Sequence, residues 1–141
     1  MAIRTAQAEW NGGLRDGRGT MKLGSGAFDG AYSFGTRFEE APGTNPEELI
    51  GAAHAGCFSM AFSAGLGKAG FAPKRVHTTA KVYLEKVGEG FEITKIELAT
   101  EAEVPGIDAA TFQAQAEAAK KGCPVSKALM GPKVVLSAKL V

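Results

Sequence analysis

The chain has only two cysteines and two histidines in 141 residues. Two cysteines are too few for the disulfide framework of a small secreted scaffold. Their positions, Cys57 and Cys123, match no zinc-ligand spacing, and His54 and His77 lie near too few acids to suggest a metal site. No metal or other cofactor is expected. Blocks of like charge are missing as well: 16 Lys and Arg balance 15 Asp and Glu, for a net charge of +1. The basic residues are dispersed, so there is no nucleic-acid footprint, and no acidic tail suggests a basic partner. The opening residues, Met1-Ala-Ile-Arg-Thr-Ala6, lack the apolar core of a secretory signal, which argues for a cytoplasmic protein. Repeats and low-complexity linkers are also wanting.

One apolar run does approach membrane length, from Leu49 to Gly67. Its four glycines, five alanines, two serines and one histidine make it only weakly hydrophobic. A membrane span is therefore not expected, and a buried helix of a soluble protein is. The length suits one domain, residues 1–141, with a hydrophobic core.

Short β-like runs open the chain. Thr5–Trp10 ends at Asn11-Gly-Gly13, Asp16-Gly-Arg-Gly19 is a turn before Thr20–Leu23, and Tyr32–Phe38 is a third strand candidate. A helix start is then well marked: Asn45 suits the N-cap, Pro46 the first position, and Glu47 and Glu48 the first turn. The helix is expected to reach Lys68, with Gly70 as its stop. It is apolar nearly all round, which predicts burial on most faces. At about 33 Å it would span the whole width of a domain of this size, about 37 Å. A second protomer would help to cover it, so an intimate homodimer is expected. Val76–Val87 and Phe91–Val104 read as two long strands joined at Gly88-Glu-Gly90. Asp108 caps a helix over Ala109–Lys121, a short helix follows Cys123-Pro124 to about Met130, and Lys133–Leu140 reads as a closing strand. The class is α+β, an antiparallel sheet wrapped on a long buried central helix.

Cys57 lies in the middle of the central helix. A free cysteine there is commonly a small core residue. Gly56 beside it leaves room for approach, however, and His54 shares its helix face. Cys123 follows a helix-stopping glycine and precedes Pro124, so it sits near an N-cap, where the helix dipole favours thiolate. Two such cysteines suggest a redox pair. Cys57 gains little from the dipole and needs a cation, with Arg15, Arg18 and Arg37 as candidates. Glu47 could orient an arginine through a bidentate pair. His54 could serve Cys57 as a base, as in a thiol hydrolase, or be a hydrogen-bonded core residue. His77, on a strand, reads as structural.

The stretch Gly43-Thr-Asn-Pro-Glu-Glu-Leu-Ile-Gly-Ala-Ala-His-Ala-Gly-Cys-Phe-Ser-Met60 closely resembles the signature of the OsmC/Ohr family, and so does Gly122-Cys-Pro-Val-Ser126. The resemblance runs from about Gln7 to the C-terminus. Phe34-Gly-Thr-Arg-Phe-Glu39, Val104-Pro-Gly-Ile-Asp108 and His54 place it nearest the osmotically inducible OsmC branch. It implies an intertwined homodimer of thiol-dependent hydroperoxide reductases with active sites at the subunit interface. Cys57 would be the peroxidatic cysteine and Cys123 the resolving one, with Arg37 holding the thiolate and Glu47 paired to Arg37. In the sister branch the arginine comes from a Gly-Gly-Arg-Asp-Gly turn, which Gly12-Gly-Leu-Arg-Asp-Gly17 echoes with an inserted leucine; this makes Arg15 the alternative. The resemblance also implies a dithiol reductant, either a small dithiol or a lipoylated protein.

The apolar surroundings of Cys57, with Phe58 and Met60 and with Phe34 and Phe38 as further candidates, suit an alkyl group better than H₂O₂. Organic hydroperoxides are the expected substrates. The alternatives are a non-enzymatic acyl-chain binding module and a Cys57/His54 thiol hydrolase.

Overall fold

The computed structural model describes residues 1–131. Among these, five strands and four helices follow in the order β1 (Ala6–Asn11), β2 (Arg18–Leu23), β3 (Asp29–Tyr32), α1 (Phe34–Phe38), α2 (Pro46–Lys68), β4 (Arg75–Val87), β5 (Gly90–Glu103), α3 (Ala109–Gly122) and α4 (Pro124–Ala128). The mixed α+β class holds. The expected closing strand, Lys133–Leu140, lies outside the described residues.

The chain resolves into two compact units. The first comprises residues 1–50 and 82–94. Its frame is a three-stranded antiparallel sheet in the order β1-β2-β3, with Trp10 opposite Gly19 and Gly19 opposite Tyr32. The turn between β1 and β2 closes tightly: a Cβ on Gly17 would lie 2.3 Å from the Gly13 carbonyl oxygen, so only glycine fits.

Here the structure corrects the sequence. Tyr32–Phe38 is not a strand: β3 ends at Tyr32 and a helical turn, α1, begins after Ser33. Ser33 and Thr36 form a capping box, in which the Thr36 N–H donates to the Ser33 hydroxyl and the Ser33 N–H to the Thr36 hydroxyl. The helical turn puts Phe34 and Phe38 on one face, with ring centroids 5.0 Å apart. Phe38 also meets Phe91 of the hairpin tip, 4.8 Å between centroids.

The start of α2 follows its local signals. The Glu48 N–H donates to Asn45 Oδ1 at 2.8 Å, and Asn45 Nδ2 donates to the Thr36 carbonyl at 3.0 Å, tying the cap to α1.

The second unit comprises residues 51–81 and 95–131 of the described chain. Its core is built from Phe58, Phe62, Leu66 and Ala119, with Phe71, Val76, Leu98 and Phe112 packed against them. Full burial of Phe62 and Leu66 contributes about 1.5–3 kcal/mol each relative to exposure. The helix ends in a Schellman motif: Phe71 N–H to Leu66 carbonyl, Gly70 N–H to Gly67 carbonyl, and Gly70 at φ +93°.

Residues 51, 54, 58, 62 and 66 form one buried stripe. The opposite positions Ala52, Ala53, Gly56, Met60, Ala64 and Gly67 are exposed. Among the described residues of this single chain, one face of α2 is covered and an apolar face is left open.

Candidate active site

Cys57 and Cys123 are brought together. Both are free thiols, and their sulfurs stand 2.7 Å apart, joined by a hydrogen bond. Cys57 is half-buried near the middle of α2; Cys123 is fully buried where α3 ends and α4 begins. Cys123 is the N-cap of α4, but its side chain makes no capping bond, so the sulfur remains available to its neighbours. Gly56 faces open space beside Cys57.

The two sulfurs differ electrostatically. Burial pushes the Cys57 thiol up, the Cys123 contact adds to this, and the Val125 N–H partly offsets it. Burial also raises Cys123, but the Cys57 contact and the polar groups of the first turn of α4, the Ser126 N–H and hydroxyl and the Val125 N–H, outweigh it and bring Cys123 down. Among the described residues no cation contributes to the Cys57 shift.

His54 does not bond Cys57. Its Nε2 lies 2.7 Å from the Ser126 hydroxyl, and burial lowers its pKa. The Cys57/His54 dyad of a hydrolase is not formed. Ser126 and the Val125 N–H are the site groups the sequence reading did not single out. The signal was present in Gly122-Cys-Pro-Val-Ser126: a helix opening at Pro124 turns its first N–H groups and its third side chain back toward residue 123.

In the other unit the structure pairs Arg37 with Glu47. Arg37 Nε and Nη2 donate to Glu47 Oε1 at 3.1 and 2.8 Å. The expected bidentate pair is replaced by two donors converging on one oxygen. Oε2 is buried, with no partner among the described residues. Glu47 is 7% exposed. Arg37 comes from α1 and Glu47 from the first turn of α2, so the misread helical turn is what aims the guanidinium.

Arg37, Phe34 and Phe38 line a cavity of about 210 Å³ together with Trp10, Leu14 and Tyr32. Arg15 stacks on Phe34, 4.6 Å from the ring centroid. With Arg18 it borders a larger cavity of about 730 Å³. Phe58 points into the core beside Phe62, and Met60 is 77% exposed on the other side of α2. Among the described residues no group of three His, Cys, Asp or Glu is placed to hold a metal ion.

Comparison with known proteins gives a consistent answer. The chain is 56% identical over 127 residues, 89% of both chains, to Peroxiredoxin OsmC of Escherichia coli strain K12, and equally so to Peroxiredoxin OsmC of Shigella flexneri. An organic hydroperoxide resistance protein OsmC from Legionella pneumophila has a similar structure, with a TM-score of 0.68, 27% identity and 93% of each chain covered. The organic hydroperoxide resistance protein OhrB of Bacillus subtilis matches with a TM-score of 0.67 and 26% identity, covering 90% of this chain and 91% of that one. The family model for OsmC-like proteins matches residues 38–137, and with these relatives it establishes that the chain belongs to the OsmC family.

Proposed function

We propose that this protein is a thiol-dependent peroxidase that reduces organic hydroperoxides, and H₂O₂ more weakly, to alcohols or water. The observation that carries the reading is the 2.7 Å contact between two free thiols, one half-buried and one fully buried. Peroxiredoxins and organic hydroperoxide resistance proteins among the relatives support it.

In this reading the Cys57 thiolate attacks the distal oxygen of ROOH, the O–O bond breaks, and the alkoxide leaves as alcohol after taking a proton. Cys57 becomes a sulfenic acid. Cys123 attacks that sulfur, the S–S bond forms, and water leaves. A dithiol, either a small molecule or a lipoylated protein, then attacks the disulfide and restores both thiols through a mixed disulfide.

Cys57 needs a positive charge, because burial and Cys123 both oppose its ionisation. Arg37 is assigned that task, with Glu47 fixing its orientation. The guanidinium would also donate hydrogen bonds to the peroxide as charge develops. Phe34 and Phe38 beside Arg37 offer an apolar wall for an alkyl group, which favours organic hydroperoxides; exposed Met60 is assigned to the same role, whereas Phe58, buried in the core, is not free to line the substrate.

The reading includes a homodimer. The exposed stripe Ala52, Ala53, Gly56, Met60, Ala64 and Gly67 is a narrow apolar face that a second copy would cover. A cytoplasmic location fits thiols that must be re-reduced in each cycle. Although α2 is long and apolar enough to cross a membrane, its buried stripe supports a role as a core helix.

The test is turnover of cumene hydroperoxide with a dithiol. Cys57→Ser should fall to the background rate, and a native rate would refute the reading. Ester hydrolysis that needs no reductant would favour the hydrolase instead.

A further inference from the structure

His54 is a buried titratable group that the peroxidase reading leaves unused. It is 7% exposed and lies one helical turn before Cys57, yet its Nε2 goes to the Ser126 hydroxyl at 2.7 Å. Its Nδ1 is buried, with no partner among the described residues. These two facts favour one proton arrangement. If Nδ1 carried the proton, a buried N–H would be left unpaired and Nε2 would take up the Ser126 proton. With the proton on Nε2, only a lone pair is left over, a more tolerable loss. The imidazole then donates to Ser126 Oγ and leaves the hydroxyl proton free. That hydroxyl sits in the first turn of the helix that Cys123 opens and is among the groups that lower the Cys123 thiol.

We propose that Ser126 is a catalytic residue of disulfide formation and that His54 is its positioning residue: the hydroxyl, oriented by the Nε2–H of His54, holds the Cys123 sulfur as the thiolate that attacks the oxidised Cys57. The inference rests on the peroxidase reading. Oxidation removes the Cys57 thiol proton from the contact, and the donors on the Cys123 side remain.

The Cys123 thiolate attacks the sulfenic sulfur, so the S–S bond forms and the S–O bond breaks. Hydroxide leaves and regains from solvent the proton that Cys123 released, departing as water. Cys123 is oxidised and the Cys57 sulfur reduced. In the return step a dithiol thiolate attacks the Cys57 sulfur, and Cys123 leaves as thiolate onto the same donors. Each unit by which a thiol pKa falls toward ambient pH raises the thiolate fraction about tenfold and lowers its nucleophilicity about threefold, so stabilising the thiolate gives a net gain.

Rapid-quench intact mass after one equivalent of cumene hydroperoxide separates sulfenic acid formation from disulfide closure. Ser126→Ala should slow closure about three- to tenfold relative to the first phase: one hydrogen bond to a charged group is worth about one to two pKa units, and each unit nets about threefold. Ser126→Thr, which keeps the hydroxyl, should restore it. His54→Gln, which can still donate from its amide, should slow closure less than His54→Leu. Closure at the native rate in Ser126→Ala overturns the inference, as does an equal loss in Ser126→Ala and Ser126→Thr. If Cys57 is never oxidised in the native protein, the peroxidase reading itself fails, and that outcome is visible in the first phase alone.

Discussion

The Cys57 and Cys123 sulfurs stand 2.7 Å apart although 66 residues separate them in the chain. A disulfide bond is about 2.05 Å long, so closing it needs a shift of well under one ångström. α2 presents Cys57 on the flank of its buried stripe, and the break between α3 and α4 delivers Cys123 to it.

The roles of the two cysteines separate in single variants. Cys57→Ser should show no peroxide reduction above background. Cys123→Ser should complete one turnover and stop, with one oxygen atom added to the chain mass, and excess peroxide should add a second. Continued turnover in Cys123→Ser with a dithiol bulky enough to be excluded from Cys57 would contradict the resolving role.

Arg37 and Glu47 should matter to the first step. Losing a hydrogen bond to a charged group costs about 1.5–3 kcal/mol, so Arg37→Ala should slow Cys57 oxidation about ten- to hundredfold. Glu47→Gln keeps an acceptor for the guanidinium and should lose less. Arg15, stacked on Phe34, is the control. If Arg15→Ala loses more than Arg37→Ala in second-order oxidation rates, the assignments must be exchanged.

Stability should fall on mild acidification. Burial lowers His54 from its ordinary value of 6.5. The unfolded chain therefore binds this proton at higher pH than the folded one. Stability is complete above the unfolded value, begins to fall as pH drops through it, and levels off below the folded value. Urea midpoints measured across that window should decline in the native protein and flatten in His54→Gln. An unchanged slope in the variant would assign the decline to another group.

The open face of α2 should be a subunit interface. Light scattering should give twice the chain mass. Met60→Lys, which places a charge on that face, should shift the protein toward monomer with the helix content kept. A native monomer would leave the exposed apolar stripe without an occupant.

What the sequence revealed and what it hid follow the range of the interactions. The ends of α2 were legible because Asn45, Pro46 and Gly70 act on their own neighbours in the chain. The two cysteine contexts were legible because Gly122 and Pro124 break the helices around Cys123. α1 was misread because Phe34, Arg37 and Phe38 can be taken for β-like residues, while the Ser33–Thr36 box that decides the matter uses threonine in place of the usual glutamate. The all-round apolarity of α2 pointed to more cover than one chain supplies, but not to which face would be left open, since that depends on what else the chain has to pack against it. The His54–Ser126 bond, across 72 residues, left no local trace.

The most direct measurement is the free-thiol count and intact mass after one equivalent of cumene hydroperoxide. Loss of both thiols, with a mass lower by two hydrogen atoms per chain, is the predicted result: a Cys57–Cys123 disulfide formed by peroxide reduction. Two thiols retained at unchanged mass, with the peroxide unconsumed, would contradict it.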